Sequence, residues 1–319
     1  MLTRWTSQIV TGAMLVLCTA VSLQTQAAQG PWYSRGSVEG LLGNYSGSAE
    51  RDDWGALRLL WQADYLERAS VFVGYEYSHI SFNPEFLGHG QHGRWSGNSV
   101  NQNLFNAGYA HNATPDAVGG RFGLRLDGYV LTSEDEAGDS SSAWVIAPQV
   151  SWLNQSQSLY FDLGYAYSSY ADDPSAGDFD VSQLTPTVGF AASDDGHNWV
   201  QLRGYFVHSF ETVATIGRSS TSAVEAKFTR NSREDGWLGI QRWRLGALVG
   251  SRMFAVDPDI RTVYSLTDEQ GTSAFAGADW SLGESLNLMV TVGTESYSNA
   301  AISDDYRSNY VSLVLGATW

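Results

Sequence analysis

The stretch Leu286-Asn287-Leu288-Met289-Val290-Thr291-Val292-Gly293 places leucine and valine at every second position. The intervening positions carry Asn, Met, Thr and Gly, so the two faces of an extended chain would differ. A period of two is typical of a β-strand with one apolar face. Residues 71–77 and 121–127 repeat the alternation, and no window of the sequence keeps a helical period. The sequence therefore predicts an all-β protein.

Fourteen segments show this alternation, and their connections differ in length. Connections that follow odd-numbered segments are mostly long, whereas those that follow even-numbered segments are mostly short. Strand segments of about ten residues with this loop pattern are typical of a transmembrane antiparallel up-and-down β-barrel. The expected architecture has 14 strands, with 12 or 16 strands as the alternatives. Residues 231–254 could hold an extra hairpin, which would give sixteen. The segments are 32–45, 54–66, 69–81, 101–111, 120–131, 143–153, 158–170, 181–192, 199–210, 223–230, 238–254, 272–282, 285–297 and 308–319.

The composition fits a protein whose outer surface does not contact water. Charged residues make up 16% of the 319 residues, against about 25% in ordinary soluble domains. Aromatic residues reach 13%, and the formal net charge is −16. This acidic balance argues against a nucleic-acid partner, because phosphate backbones need a basic surface.

The N-terminus predicts export across a membrane. Arg4 precedes an apolar run over residues 9–23, and Thr25-Gln26-Ala27 supplies small residues at a cleavage site. This pattern predicts a signal peptide over residues 1–27, followed by one barrel domain over residues 31–319. The only cysteine, Cys18, lies in the signal peptide. Neither a thiolate metal site nor a cofactor is therefore expected in the exported chain.

The C-terminal segment carries an independent signal. Val311, Leu313, Leu315 and the terminal Trp319 occupy alternate positions. In this respect the chain resembles Gram-negative outer-membrane barrels, whose last strand ends in an aromatic residue. The resemblance implies a bacterial outer-membrane location and contact with outer-membrane lipid and lipopolysaccharide. It also implies that the barrel-assembly machinery reads these four residues.

A second resemblance concerns the last hairpin. Tyr297-Ser298-Asn299, followed by Tyr306-Arg307-Ser308-Asn309-Tyr310-Val311, is similar to the final hairpin of YaiO-type barrels and of surface-lipoprotein-assembly and exopolysaccharide-export barrels. That similarity implies periplasmic export partners. Secretion barrels of this kind usually carry a periplasmic repeat domain, for which the sequence shows no segment.

Charged residues follow the polar faces of the predicted strands. An isolated arginine is costly in lipid, so these side chains are expected to face the lumen. They could line a path for anionic or sugar-like solutes, or they could pair with one another and fill the barrel. Many of the remaining acidic residues, including those in the connection 255–271, are expected on the outer surface. The candidate lumen residues are Arg58, Arg121, Arg125, Arg203, Lys227, Arg242, Arg244, Arg252, Asp64, Glu76, Asp127, Asp162, Glu225, Asp279 and Glu295, with Arg35 and Glu39 on the same faces.

Three functions fit these features. The first is a channel, or porin, for small hydrophilic solutes. The second is an export or assembly barrel for exopolysaccharide or surface protein. The third, remote alternative is a lipid-facing hydrolase, because His79 and Ser81 share a face and the next segment could bring Asn101 or Asn103 beside them. Outer-membrane phospholipases use His, Ser and Asn in a similar arrangement, but their wider motif is missing, so no enzyme activity is expected.

Overall fold

The computed structural model describes residues 31–319 except 67, 83–98, 116–118, 135–141, 174–176, 213–215, 233–236 and 301. The predicted signal peptide lies outside the described residues. The described chain forms mainly β-strands, joined by short turns and one 3-10 turn at Trp237–Gly239. The strands are β1 (Trp32–Ser46), β2 (Arg51–Tyr65), β3 (Ala69–Phe82), β4 (Ser99–Ala113), β5 (Gly120–Glu134), β6 (Ser142–Asn154), β7 (Leu159–Asp173), β8 (Gly177–Ala191), β9 (Asn198–Ser209), β10 (Ser220–Asn231), β11 (Ile240–Gly250), β12 (Val256–Asp257), β13 (Thr262–Val263), β14 (Glu269–Ser281), β15 (Leu286–Asn299) and β16 (Asp304–Thr318).

Fourteen of these strands close into one antiparallel barrel. Each wall strand pairs with its neighbours along the chain, and β11 pairs with β14. The short strands β12 and β13 form a separate hairpin between those two. The predicted fourteen-strand antiparallel barrel is confirmed, and the alternatives of 12 and 16 wall strands are wrong.

The seam between β1 and β16 closes the wall. The two strands pair continuously from Arg35 opposite Thr318 to Ser46 opposite Arg307. Beyond that ladder, the backbone N–H of Ser34 donates to the carbonyl of Trp319 at 2.9 Å, and the N–H of Trp319 donates back to Ser34 at 2.9 Å. Closure matters because backbone groups at an open sheet edge have no water to bind inside a membrane.

The barrel has two different ends. Connections after β1, β3, β5, β7, β9, β11 and β15 leave one end, which we call the long-loop end. The opposite, turn end carries the connections after the remaining wall strands, together with both termini of the described chain. We expect the turn end to face the periplasm, because outer-membrane barrels place their short turns there.

The wall has an apolar outer face. On β5, Leu124, Leu126 and Val130 are 52%, 53% and 52% exposed, whereas the intervening Asp127 and Tyr129 are buried. An exposed apolar band around a closed barrel fits a lipid environment. Among the described residues, none belongs to a helix of sufficient length and apolarity for a membrane span.

Strand β11 is shorter than the predicted segment 238–254. It ends at Gly250, whose φ is 105° and where a Cβ atom would lie 2.4 Å from the carbonyl oxygen of Ser222. Only glycine fits this close approach of the backbone. The next two residues still bond the wall, because the N–H of Ser251 donates to Ser222 at 2.9 Å and Arg252 forms an antiparallel bridge with Gln270 of β14. Residues 253–268 then turn into the barrel. The expectation that 255–271 is an outer-surface loop is therefore wrong, and Arg252 lies just past the end of β11.

The position of Trp319 in the seam generates a test. Deletion of Trp319 removes two seam hydrogen bonds, each worth about 1 kcal/mol, and a ring that lies 3.0 Å from the Cβ position of Gly36. We expect less folded barrel, measured as the heat-modifiable fraction on a gel. Trp319→Phe keeps the backbone bonds and an aromatic ring, so it should fold normally. Unchanged folding after the deletion would show that this residue does not stabilise the seam.

Candidate functional site

The inner loop, which we define as residues 251–268, enters the barrel from the long-loop end. Its hairpin is paired at Val256–Val263 and Asp257–Thr262. The hairpin tip reaches Arg203, which lies in the middle of β9, and Arg261 reaches Gln62 near the turn end of β2. The loop therefore occupies the lumen to at least half the height of the wall.

An apolar cluster fixes the entry of the inner loop. Phe254 is fully buried and lies with its ring centroid 4.9 Å from those of both Tyr170 and Phe179. Gln183 clamps the backbone of Val256, since its amide donates to the carbonyl at 2.7 Å and accepts from the N–H at 2.9 Å. Burial of one such aromatic side chain stabilises the folded state by about 1.5–3 kcal/mol. The cluster joins Met253, Phe254, Val256 and Val263 of the loop to Tyr129, Leu131, Tyr170, Phe179, Val181 and Val207 of the wall.

Ion pairs hold the tip of the loop. Asp259 contacts Arg203 through Oδ1 at 2.9 Å and Lys227 through Oδ2 at 2.6 Å. Lys227 also contacts Glu225 at 3.0 Å, and Arg203 lies 3.9 Å from Asp162. Burial opposes ionisation of Asp259, but Lys227 and Arg203 outweigh it and hold the pKa of this carboxyl below its usual range. The tip carboxylate therefore stays charged at neutral pH.

The returning half of the loop contacts the opposite wall. The Arg261 guanidinium donates to Gln62 at 3.1 Å and stacks 3.7 Å from the ring centroid of Phe72. Thr262 donates to Glu76 at 3.1 Å, and Gln102 donates to Ser265 at 2.7 Å. The loop is thus attached to both sides of the lumen, mainly through polar groups in this half.

A buried ion pair anchors the loop where it rejoins the wall. Asp268 lies 2.6 Å from Arg51, and both side chains are 1% exposed. Asn299 donates to the same carboxylate at 2.7 Å, and the Tyr306 hydroxyl donates to its second oxygen. Removal of one partner from such a buried pair costs about 3–5 kcal/mol. This end of the loop is therefore held rigidly against β2, β15 and β16.

Several predicted lumen residues pair along the wall or with the loop. Arg58 bridges Glu39 at 2.6 Å and Glu76 at 2.8 Å. Arg125 donates to Asp127 at 2.8 Å and to the loop carbonyl of Pro258 at 3.3 Å. These residues are paired with one another or with the inner loop.

Two of the predicted residues have other surroundings. Glu295 accepts a 2.6 Å hydrogen bond from Tyr297. Arg252, expected on a wall strand, is buried just past the end of β11, where its backbone bridges Gln270 of β14. Its guanidinium lies over the rings of Tyr205 and Tyr264. It also lies 3.5 Å from Asp257 of the inner loop.

The remaining predicted residues lie near the turn end and form what we call the vestibule. Arg244 contacts Asp279 at 2.9 Å, and Arg242 lies 3.8 Å from the same carboxylate. Arg35 lies 3.6 Å from Asp64 across β1 and β2. The Arg35 and Arg242 side chains are 53% and 52% exposed although they lie on the inward-facing positions of a closed wall. Arg121, at an inward position of β5 at the same end, is also exposed. Water therefore enters this half of the lumen.

Sequence reasoning missed the inner loop and four of its charged residues. These four residues were expected on the outer surface or were not considered: Asp257, Asp259, Arg261 and Asp268. The run Met253-Phe254-Ala255-Val256 was the available signal, because consecutive apolar residues are unusual in an exposed connection. This apolar run also follows Gly250, the glycine at which β11 ends.

The remote hydrolase alternative is only partly matched by geometry. His79 Nδ1 lies 2.8 Å from Asn101 Oδ1 on the outer face, so the predicted His–Asn contact is present. The Ser81 hydroxyl, however, donates to the carboxylate and the backbone carbonyl of Asp53. The serine proton is directed to Asp53, and this arrangement does not support activation of Ser81 by the histidine. Among the described residues, no cluster of three or more His, Cys, Asp or Glu could hold a metal ion.

Known structures share this fold at very low sequence identity. The Pseudomonas putida toluene transporter TodX superposes with a TM-score of 0.53 at 10% identity, covering 92% of this chain and 90% of TodX. The Ralstonia pickettii toluene transporter TbuX gives 0.54 at 9% identity, covering 90% and 89%. A bacterial polysaccharide outer membrane secretin gives 0.53 at 10% identity, covering 90% and 98%. No protein-family model and no curated protein matches the sequence. The likeness shows an outer-membrane barrel fold alone.

The ion pairs at the tip generate a stability test. Asp259→Asn leaves Arg203 and Lys227 without their strongest carboxylate contact in the lumen. We expect a loss of about 1–3 kcal/mol, the range for hydrogen bonds to charged groups, seen as a lower temperature of barrel unfolding in detergent. Asp194→Asn, in an exposed turn, is the matched control and should not change that temperature. An unchanged midpoint for Asp259→Asn would mean that the tip is not held by its charges.

Proposed function

We propose that this protein is an outer-membrane channel for small hydrophilic solutes, and that the inner loop narrows its lumen. The wet, charged vestibule carries this proposal. Arg35, Arg242 and Arg244 reach water inside a closed wall whose outer face is apolar. Charged groups focus a potential on the space between them and favour polar solutes over apolar ones.

The inner loop divides the path into two parts. Below the tip, the vestibule is accessible from the turn end. Above it, the apolar cluster around Phe254 and the buried pair Arg51–Asp268 hold the loop against opposite walls. Solutes therefore pass beside the loop, or after movement of its polar tip, and the loop sets the size of what can pass.

An export or assembly barrel for polysaccharide or surface protein is the alternative. The resemblance of the final hairpin at residues 297–311 to export barrels supports it. This alternative expects periplasmic partners and a purified barrel that conducts little current. The channel proposal expects conductance from the protein alone.

Planar-bilayer conductance separates the two. We would compare the native protein with a variant in which residues 255–266 are replaced by a short Gly-Ser linker. The native channel should show small conductance steps, and the loop-shortened channel should show larger ones because its lumen is wider. If both proteins are folded and neither conducts, the channel proposal is wrong and the export alternative is favoured.

Ion selectivity tests the vestibule. Arg242→Ser combined with Arg244→Ser leaves Asp279 without its two bases, so the local charge changes from positive to negative. We expect reversal potentials to shift toward cation selectivity. The shift should shrink at 1 M salt, where the Debye length is about 3 Å.

The control for this pair is Arg230→Ser. Arg230 lies near the turn end of β10 at an outward-facing position, and it is exposed. Its replacement removes positive charge from the outer face, so selectivity should stay unchanged. Equal selectivity in the double variant and the native channel would remove Arg242 and Arg244 from the permeation path.

A further inference from the structure

A row of alternating aromatic residues and glycines crosses six strands of the inner wall. The residues lie directly opposite one another on adjacent strands, from β2 through β1, β16, β15 and β14 to β11. The row ends beside Lys227 on β10, which pairs with the tip of the inner loop. In order, the row is Trp54, Gly43, Tyr310, Gly293, Phe275 and Gly246.

Each ring lies close over the glycine of the next strand. A Cβ atom at Gly43 would lie 2.2 Å from Trp54, one at Gly293 would lie 2.4 Å from Tyr310, and one at Gly246 would lie 2.2 Å from Phe275. Any larger residue would push the ring into the lumen. All three rings lean the same way along the wall. All three remain partly exposed.

Hydrogen-bonding groups flank the row on both sides. Toward the long-loop end, the next inward residues are Ser308, Glu295 and Ser273, which lie opposite one another on β16, β15 and β14. Toward the turn end, Ser312 lies opposite Thr291, and Arg244 follows two strands farther on. Ser308 and Ser312 are themselves buried and bonded within the wall, because Trp54 Nε1 donates to Ser308 at 2.8 Å and Ser312 donates to Glu39 at 2.6 Å. The partly exposed polar groups are Glu295 and Ser273 on one side of the row and Thr291 and Arg244 on the other. The lumen wall therefore presents an aromatic strip between these two polar strips.

Among the described residues, the hairpin of the inner loop does not contact the strands that carry the Tyr310 and Phe275 rings. The returning arm of the loop reaches β2, β15 and β16 through Asp268, toward the long-loop end from the strip. The described contacts of residues 256–263 are with strands β2 to β5 and β8 to β10. The rings of Tyr310 and Phe275 belong to β16 and β14. A solute that passes beside the hairpin would therefore meet this strip.

We propose that the aromatic row is a binding track for the sugar rings of a linear carbohydrate. This inference rests on the proposed channel function and specifies its solute. The C–H face of a sugar ring is apolar and weakly positive, and it matches the negative face of an aromatic ring. The hydroxyl groups at the edge of the same sugar ring would meet the two polar strips.

The length of the track indicates a chain rather than a single sugar. Trp54 and Phe275 are four strands apart, which is about 19 Å along the wall at the usual strand spacing. The ring centroids of Trp54 and Tyr310 are 6.3 Å apart. An extended oligosaccharide contacts several rings at once, whereas a small solute contacts one.

The polar strips disfavour an apolar solute. A hydrocarbon on the rings would cover the partly exposed Glu295, Ser273 and Thr291 without replacing their hydrogen bonds to water. An unsatisfied polar group costs about 1–3 kcal/mol. The track therefore fits a solute with an apolar face and a polar edge.

Equilibrium binding of labelled maltohexaose and cellohexaose to the detergent-solubilised protein tests the proposal independently of conductance. Phe275→Leu and Tyr310→Leu each remove one ring and keep an apolar side chain over the glycine. We expect each to weaken binding about five- to tenfold, in the range of one aromatic contact. Tyr310→Phe keeps the ring and should bind like the native protein. Phe105→Leu, on the outer face, is the matched control and should change nothing.

Several outcomes would overturn the proposal. One is salt conductance by a native protein that binds neither glucan, which would leave the channel function standing. Another is binding that the two leucine variants do not weaken. A third is binding of toluene that these variants weaken while the glucans do not bind, which would make the row a hydrocarbon site. If the glucans bind as expected but no form conducts, the track stands and the channel function fails.

Discussion

The structure depends on closure of the hydrogen-bonded wall. Inside a membrane no water is available to a free backbone N–H or carbonyl, so a sheet can cross only if its first and last strands pair. Here β1 and β16 pair from Arg35–Thr318 to Ser46–Arg307, and Ser34 and Trp319 extend the seam by two further bonds. Once the wall is closed, alternate residues of every strand must face inward.

Closure forces the charges into the lumen, where they need a partner or water. The lumen supplies both, in different halves. The inner loop brings Asp268 to Arg51 near the long-loop end, and it brings Asp259 to Arg203 and Lys227 near the middle of the wall. Near the turn end, Arg242 and Arg35 remain half exposed. The division between a filled half and a wet half is the basis of the proposed function.

Most of the wall could be predicted from the sequence, because period two reports which face a side chain occupies. Lipid requires the outer positions to be apolar, so the alternation survives in nearly every strand. The alternation therefore predicted the fourteen strands. It also predicted inward positions for Arg58, Arg125 and Arg203, which face inward in the structure. The partners of these residues were less accessible, since pairing across the lumen depends on residues far apart in sequence.

The inner loop could not be predicted by the same reasoning. Alternation reports the face of a strand, but it carries no information on whether a connection folds outward or into the lumen. Arg252 falls on the same alternate positions as the polar residues of β11 and was assigned to that strand, although the strand ends at Gly250. The aromatic row was equally hidden, because Trp54, Tyr310 and Phe275 meet only through the registers of six strands.

The most direct test measures where the tip of the inner loop lies in lipid. The exported chain is expected to lack cysteine, so pairs of introduced cysteines can carry spin labels without background. One label at Gln155, in a turn, and one at Ser142, at the opposite end of β6, give the length of that strand, about 40 Å. With the second label at Ile260 instead, the account predicts a clearly shorter distance in nanodiscs. A distance equal to or longer than the strand length would place the tip outside the barrel and contradict the account.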